Sequence, residues 1–292
     1  MSELPAPVRR VVPVDGIPMS GLFAEADDPR AVIIALHGGA SSAAYFDCPG
    51  HPDLSLLRSA AAAGFSTVAL DRPGYGTSAS YADQMWDPAR RVELAYAAVD
   101  AVLGQRPRGA GLFVMAHSNG CELALRMAVA DRGTDVLGIE VAGTGVRQYP
   151  SAREILKQAT ATHRPAGLRE LIWAPAELYP ADVVNAVGGT GGPPQDGEIS
   201  THWARRDFPE LAARVSAPVR FTAAEHERVW DSTPEALADI AALFTASPRV
   251  EINQQAGCGH NLSLGVAAAH YHSGVLSFVQ QCVDADVKEE AG

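Results

Sequence analysis

Residues 113–124 read FVMAHSNGCELA, an apolar run that breaks at a histidine, a serine and a glycine before good helix formers resume. An apolar run followed by a sharp turn and then a helix lifts the turn residue above the end of a sheet. The positions two before and two after that residue must be small, because strand and helix crowd there. Gly120 meets the requirement, and Ala116 adds only one methyl group. The five-residue pattern A-x-S-x-G is weak alone, since a turn serine capping the next helix gives the same string. Whether Ser118 is a nucleophile depends on what the rest of the chain supplies.

On both sides of this stretch the chain alternates between two textures. AVIIALH (31–37), STVALD (66–71), GLFVMAH (111–117), LGIEVA (137–142), PVRFTAA (218–224) and PRVEIN (248–253) are short, apolar and rich in β-branched residues, as buried parallel strands are. VRRVVPV (8–14) and PMSGLFA (18–24) alternate enough for a paired strand hairpin. Between them, helices are expected over 53–62, 87–103, 120–130, 234–245 and 264–281. Val92, Leu94, Ala95, Val99 and Val102 fall near one face of the second of these, as packing on a sheet requires. The order predicts an α/β fold with a doubly wound, mostly parallel sheet of eight strands.

The alternation fails between about Val146 and Ala213, where no strong strand signal occurs. SAREILKQATATH (151–163) and GLRELIWAPAELYPADVVNAV (167–187) have helical character, and GGTGGPPQDGE (188–198) is a breaker-rich segment expected to be mobile. Residues 1–145 and 214–292 are therefore read as the core, and 146–213 as a helical lid after the sixth strand. Trp173, Tyr179 and Trp203 are its candidate substrate-binding aromatics.

Composition narrows the classes. The chain has 292 residues, 47% hydrophobic and 20% charged, which suits a soluble globular protein with a sizeable core. A net charge of −11, from 23 basic and 34 acidic side chains without a basic cluster, argues against nucleic-acid or anionic-membrane partners. The N-terminal residues lack the order of a signal peptide and no stretch is long enough to span a bilayer, so a cytoplasmic location is expected. Four scattered cysteines indicate neither zinc nor a disulfide framework, and Cys258 reads as a partly buried free thiol.

A hydroxyl is a poor nucleophile at neutral pH. It needs a base to take its proton, an acid to orient that base, and amide donors for the developing oxyanion. His260, in AGCGHNLSLG (256–265) after the last strand, is the candidate base; none of the nine histidines is better placed at a strand end. Glu227, two or three residues past the strand in PVRFTAAEHERVW (218–230), is the candidate acid. Glu140 is the alternative, though inside an apparent central strand an unpaired carboxylate would be costly to bury. In LHGGASSAAYF (36–46) the Gly39 N–H would pair with that of Asn119 as oxyanion donors, with Ala40 as the fallback and His37 tying the loop. Asp71 and Arg72, in LDRPGYGTS (70–78), read as structural ties between loops.

HGG (37–39), DRPGYG (71–76), AHSNG (116–120), EHE (225–227) and GCGH (257–260), in that order, make nearly the whole chain resemble the α/β-hydrolase superfamily. The resemblance implies an eight-stranded sheet, a lid between strands six and seven, and a Ser118–Glu227–His260 triad. Ala116 departs from the usual glycine, and Glu227 stands where lidded members more often carry aspartate. Haloalkane dehalogenases and epoxide hydrolases use an aspartate nucleophile, so Ser118 argues against both. The implied activity is cofactor-independent hydrolysis of a small or medium acyl molecule: an ester, thioester or lactone. Lyase, cyclase or carbon–carbon bond chemistry with the Ser–His pair as general base is the alternative, and a ligand-binding protein with little turnover is a third.

Overall fold

The computed structural model describes residues 6–48, 50–158, 163, 165–187 and 191–290. Eight strands form one sheet: β1 (Val8–Val14), β2 (Ile17–Ala24), β3 (Val32–Leu36), β4 (Ser66–Leu70), β5 (Leu112–His117), β6 (Val136–Ala142), β7 (Val219–Ala224) and β8 (Val250–Gln255). Their order is β1-β2-β4-β3-β5-β6-β7-β8. β2 runs antiparallel to both β1 and β4, and every other pairing is parallel. Every residue of β3 and β5 is buried, as central strands covered on both faces should be, while the edge strand β1 stays largely in solvent.

Helices α1 (Leu56–Ala62), α2 (Pro88–Leu103) and α3 (Gly120–Val129) follow β3, β4 and β5 in the chain. Local chemistry sets the start of α2: the Asp87 carboxylate accepts the Ala89 N–H at 2.9 Å and Pro88 supplies the first turn. Its far end stops at Gly104, in the left-handed region at φ 56°. Helices α4 (Pro150–Leu156), α5 (Leu168–Ile172), α6 (Ala181–Val187), α7 (Gln195–His202) and α8 (Phe208–Ala212) come next. They lie between β6 and β7, where no strand occurs among the described residues. α9 (Pro234–Leu243) and α10 (Ala268–Glu290) complete the chain. No helix among the described residues is long and apolar enough to cross a membrane.

The core has two layers. Ile34, Val114, Tyr96, Leu125 and Ile240 belong to one, Ile33, Phe113, Leu57 and Phe278 to the other. The insertion joins both: Trp203 and Phe208 pack into the first layer, Tyr179 and Val183 into the second. Of the breaker-rich stretch expected to be mobile, Gly188–Thr190 lie outside the described residues. Gln195 onward is helix, with Asp196 and Glu198 in the first turn facing the positive end of the helix dipole.

One consequence of the strand order places the site. After β3 the chain crosses to β4 on one side, then returns to β5 on the other. The carboxyl ends of β3 and β5 therefore border a crevice at the switch of winding direction, where open α/β sheets bind their ligands. Leu36 pairs with Ala116 there, so the loop from His37 and the turn at Ser118 emerge side by side.

Candidate active site

Ser118 sits directly after β5 with φ 51°, a left-handed conformation that costs a non-glycine residue about 1–3 kcal/mol. The turn is held from below: the Ser118 N–H donates to the Ala142 carbonyl at 2.8 Å, and the Ser118 carbonyl accepts from Cys121 N–H at 3.0 Å. The two flanking small residues differ in necessity. A Cβ at position 120 would lie 2.5 Å from the Leu36 carbonyl oxygen and 2.6 Å from that of His37, so nothing but glycine fits. Ala116 instead faces the buried core, where its methyl group is packed.

His260 and Glu227 are brought together. The His260 Nδ1 lies 2.9 Å from Glu227 Oε2 and 3.1 Å from Oε1, and both residues are buried. Oε1 also accepts the N–H groups of Arg228 at 3.0 Å and Val229 at 2.8 Å, so the longer glutamate side chain is fixed by its own loop. Burial opposes the charge on Glu227, but attraction to His260 and the hydrogen bonds it accepts hold its carboxyl below the usual range. With Nδ1–H donated to the carboxylate, the His260 lone pair is on Nε2. Glu140 is engaged elsewhere: its carboxylate is fully buried within β6, 3.1 Å from the Arg220 guanidinium and accepting the Tyr271 hydroxyl at 3.0 Å.

The residue before Ser118 ties the two loops together. His117 Nε2 donates to the His260 carbonyl at 2.8 Å, and its ring stacks on Tyr45 with centroids 4.6 Å apart. Burial first, and the neighbouring His260 second, hold the His117 imidazole well below its ordinary pKa of 6.5, so it is neutral. A Cβ on Gly143 would lie 2.6 Å from His117 Nε2 and 3.5 Å from His260 Cε1, so the rings meet over the strand end that also anchors Ser118. The His260 loop is fastened further along. The Tyr179 hydroxyl accepts Asn261 N–H at 3.2 Å, the Tyr45 hydroxyl accepts Ser263 N–H at 3.4 Å, and the Asn261 side chain donates to the Ile172 carbonyl at 2.9 Å. His117 and Tyr45 had no role in the sequence reading; a polar residue closing an all-apolar strand is the signal that points to the first.

On the other side of Ser118, Gly39 and Asn119 are neighbours: a Cβ on Gly39 would lie 3.1 Å from Asn119 Nδ2. The fallback donor Ala40 is already committed, its N–H donating to the Tyr75 hydroxyl at 3.1 Å. His37 acts as a loop tie. Its Nδ1 donates to the Gly38 carbonyl at 2.8 Å and its Nε2 accepts the Arg72 N–H at 3.1 Å. Burial, reinforced by the Arg72 charge, lowers its pKa to about 3. Asp71 accepts from Ala43 N–H and the Ser20 hydroxyl, which makes it a structural tie as well. Arg72 reaches further, to Asp196 of α7, with Nη2–Oδ2 at 2.9 Å and Nη1–Oδ1 at 3.2 Å.

The candidate substrate-binding aromatics are placed differently from one another. Trp203 is buried, stacked on Phe208 at 5.0 Å, with its indole N–H donated to the Thr144 hydroxyl at 2.6 Å. Tyr179 is buried against the His260 loop, and Trp173 packs edge-on to it at 5.2 Å, half-buried. A cleft of about 340 Å³ is lined by Tyr149, Ser151, Ile155, Glu170 and Leu171 of the insertion and by Glu227 and Arg228; none of the three aromatics lines it. Cys258 is a buried free thiol whose pKa burial pushes up to about 12, which makes it a poor nucleophile. No group of three or more histidine, cysteine or acidic side chains among the described residues is arranged to hold a metal ion.

Comparison with known proteins agrees with the architecture. No sequence among curated proteins matches the chain. A highly thermostable carboxyl esterase from Bacillus coagulans superposes with a TM-score of 0.69 at 19% identity, covering 95% of this chain and 99% of that one. The N-acyl homoserine lactonase AidH gives 0.68 at 15% identity, over 94% of this chain and 98% of that one. A thioesterase domain from the curacin biosynthetic pathway gives 0.59 at 16%, over 94% and 100%. Identities this low speak for the fold alone. Residues 33–269 match the alpha/beta hydrolase family as a sequence family, which spans most of the sheet, the insertion and the His260 loop. The chain belongs to the alpha/beta hydrolase family.

Proposed function

We propose that the chain is a serine hydrolase of small or medium acyl compounds, an ester, thioester or lactone, that works through an acyl-enzyme on Ser118. His260 Nε2 takes the Ser118 proton as Oγ attacks the carbonyl carbon. The N–H groups of Gly39 and Asn119 hold the oxyanion as the carbonyl π pair moves onto oxygen. Collapse expels the leaving group, which takes the proton from His260. Water then attacks the acyl-enzyme, giving a proton to His260, and Ser118 regains one as the acid departs. Glu227 holds the imidazole orientation and stabilises the imidazolium. None of these steps calls on a cofactor.

The observation that carries the reading is the buried Glu227–His260 pair, at 2.9 Å, fastened through His117 to the strained turn that holds Ser118. The cleft lined by Ile155 and Leu171 together with Ser151, Glu170, Glu227 and Arg228 suits an acyl or leaving group with both apolar and polar parts, and the insertion, which supplies most of that lining, acts as its lid. The esterase, lactonase and thioesterase that share the fold carry the same bond class in their names.

Stopped-flow hydrolysis of p-nitrophenyl esters of increasing acyl length, with an acyl thioester alongside, tests the proposal. A burst of nitrophenol matching the enzyme concentration, followed by slower turnover and abolished by Ser118→Ala, is the expected result. Unchanged turnover in Ser118→Ala would sink the reading.

A further inference from the structure

We infer that Asp196, on α7 of the insertion, is a positioning residue that sets the oxyanion hole; the inference rests on the acyl-transfer reading above. The peptide joining Gly38 to Gly39 is trans, so its C=O and N–H point in opposite directions. Whatever fixes the Gly38 carbonyl therefore aims the Gly39 N–H. That carbonyl accepts from His37 Nδ1 at 2.8 Å and from Arg72 Nη2 at 3.2 Å. The next peptide is tied as well, because the Ala40 N–H donates to the Tyr75 hydroxyl at 3.1 Å. Gly39 is thus held on one side by Arg72 and on the other by Tyr75.

Both holders close on one carboxylate. Asp196 takes the Arg72 guanidinium in a two-pronged grip, and Tyr75 donates its hydroxyl proton to Asp196 Oδ2 at 2.5 Å. The second donor is drawn in too. Asn119 hydrogen-bonds the Asp196 side chain, while Ser200, whose hydroxyl donates to the Asp196 carbonyl, also reaches Asn119 Oδ1 at 3.4 Å. A Cβ on Gly39 would lie 3.5 Å from Asp196 Oδ2, which puts the carboxylate next to Gly39. The side chains of Arg72 and Asp196 are only 4% and 11% exposed, so their grip is little screened by water.

An ionised Asp196 does two things through this network. It keeps Arg72 against the Gly38 carbonyl, and by accepting the Tyr75 proton it strengthens the Tyr75 oxygen as an acceptor for Ala40. Withdrawal of α7 leaves Arg72 as a buried cation without its counter-charge and frees Tyr75 to turn. The insertion is then part of the catalytic apparatus: the hole is aimed only while α7 is docked.

The test uses the full chain and three variants, Asp196→Asn, Asp196→Glu and Tyr75→Phe. In Asp196→Asn, kcat for a p-nitrophenyl ester is expected to fall about 10- to 100-fold, less than loss of a donor itself costs, with KM within about threefold. Ser118 phosphonylation by a fluorophosphonate, whose phosphoryl oxygen uses the same hole, slows in parallel. Asp196→Glu recovers part of the rate. Tyr75→Phe leaves the ion pair and the fold in place and shows the same kcat-selective loss, so the test survives an Asp196→Asn variant that folds poorly. Wild-type kcat and phosphonylation rate in Tyr75→Phe and Asp196→Asn, or a loss confined to KM, would overturn the inference while leaving the acyl-transfer reading intact. A wild-type chain that takes no label at Ser118 overturns both.

Discussion

Ser118 is distinguished from an ordinary turn serine by what surrounds it, and each neighbour can be tested. Glu227 and Glu140 are both buried carboxylates, yet only Glu227 meets His260. Glu227→Gln is expected to lower kcat about 10³- to 10⁴-fold, because the imidazole loses its orientation and the stabilisation of its charged form. Glu140→Gln leaves kcat near wild type in whatever folded fraction remains, while costing about 1–3 kcal/mol in denaturant titration, since Arg220 loses Glu140 but keeps Glu251 at 3.2 Å. The reverse pattern would reassign the acid. His117→Phe retains the stack on Tyr45 but removes the donor to the His260 carbonyl, so kcat is expected to drop about tenfold with KM unchanged. Steady-state kinetics reads this directly, and equal kcat would reduce His117 to packing. The meeting of Glu227 with His260 was legible in the sequence because a strand-end carboxylate and a strand-end histidine follow from chain order. His117 showed only as a polar residue closing an apolar strand, and its role was not legible, since a bond to a carbonyl 143 positions away has no local pattern.

Among the elements, the insertion is where sequence and structure part. Helical texture in SAREILKQ and GLRELI was readable from spacing, and α4 and α5 stand there. The docking of α7 was not: PPQDGE looks like a string of breakers, and the reason it forms a buried helix start is an ion pair to Arg72, 124 residues earlier. That pair has a sign in pH. Burial opposes the charge on Asp196, but Arg72, Tyr75 and Asn119 hold its carboxyl below the ordinary 3.8. A depressed carboxyl pKa contributes stability that is present above the unfolded value and lost as pH falls through the folded one. The destabilisation caused by Asp196→Asn, about 3–5 kcal/mol at neutral pH, is therefore expected to shrink as pH falls below 3.8. Paired urea titrations of wild type and variant at descending pH check this; a gap that stays constant or widens contradicts it.

At the scale of the whole molecule, the fold was legible because buried parallel strands announce themselves. AVIIALH and GLFVMAH are continuous apolar runs, and both became fully buried central strands flanking the switch point. The interior that results encloses imidazoles that must stay neutral. Burial holds His37 and His272 to a pKa of about 3 and His117 well below 6.5. Each takes up a proton on unfolding once pH falls below 6.5, so each removes up to about 1.4 kcal/mol of stability per pH unit from there down to its folded value. Urea midpoints are expected to fall steadily between pH 7 and 5, ahead of carboxylate titration; a flat midpoint across that window would contradict the neutral burial of these rings. The same scaffold holds the Ser118 turn next to the loop that carries the His260–Glu227 pair, and the proposed use for acyl transfer comes down to one measurement. Incubation with a fluorophosphonate, followed by mass spectrometry of the intact chain and its peptides, is expected to show a single phosphonyl adduct on Ser118, absent in Ser118→Ala and strongly slowed in His260→Ala. An active, folded chain that takes no label, or takes it equally without Ser118, would contradict the account.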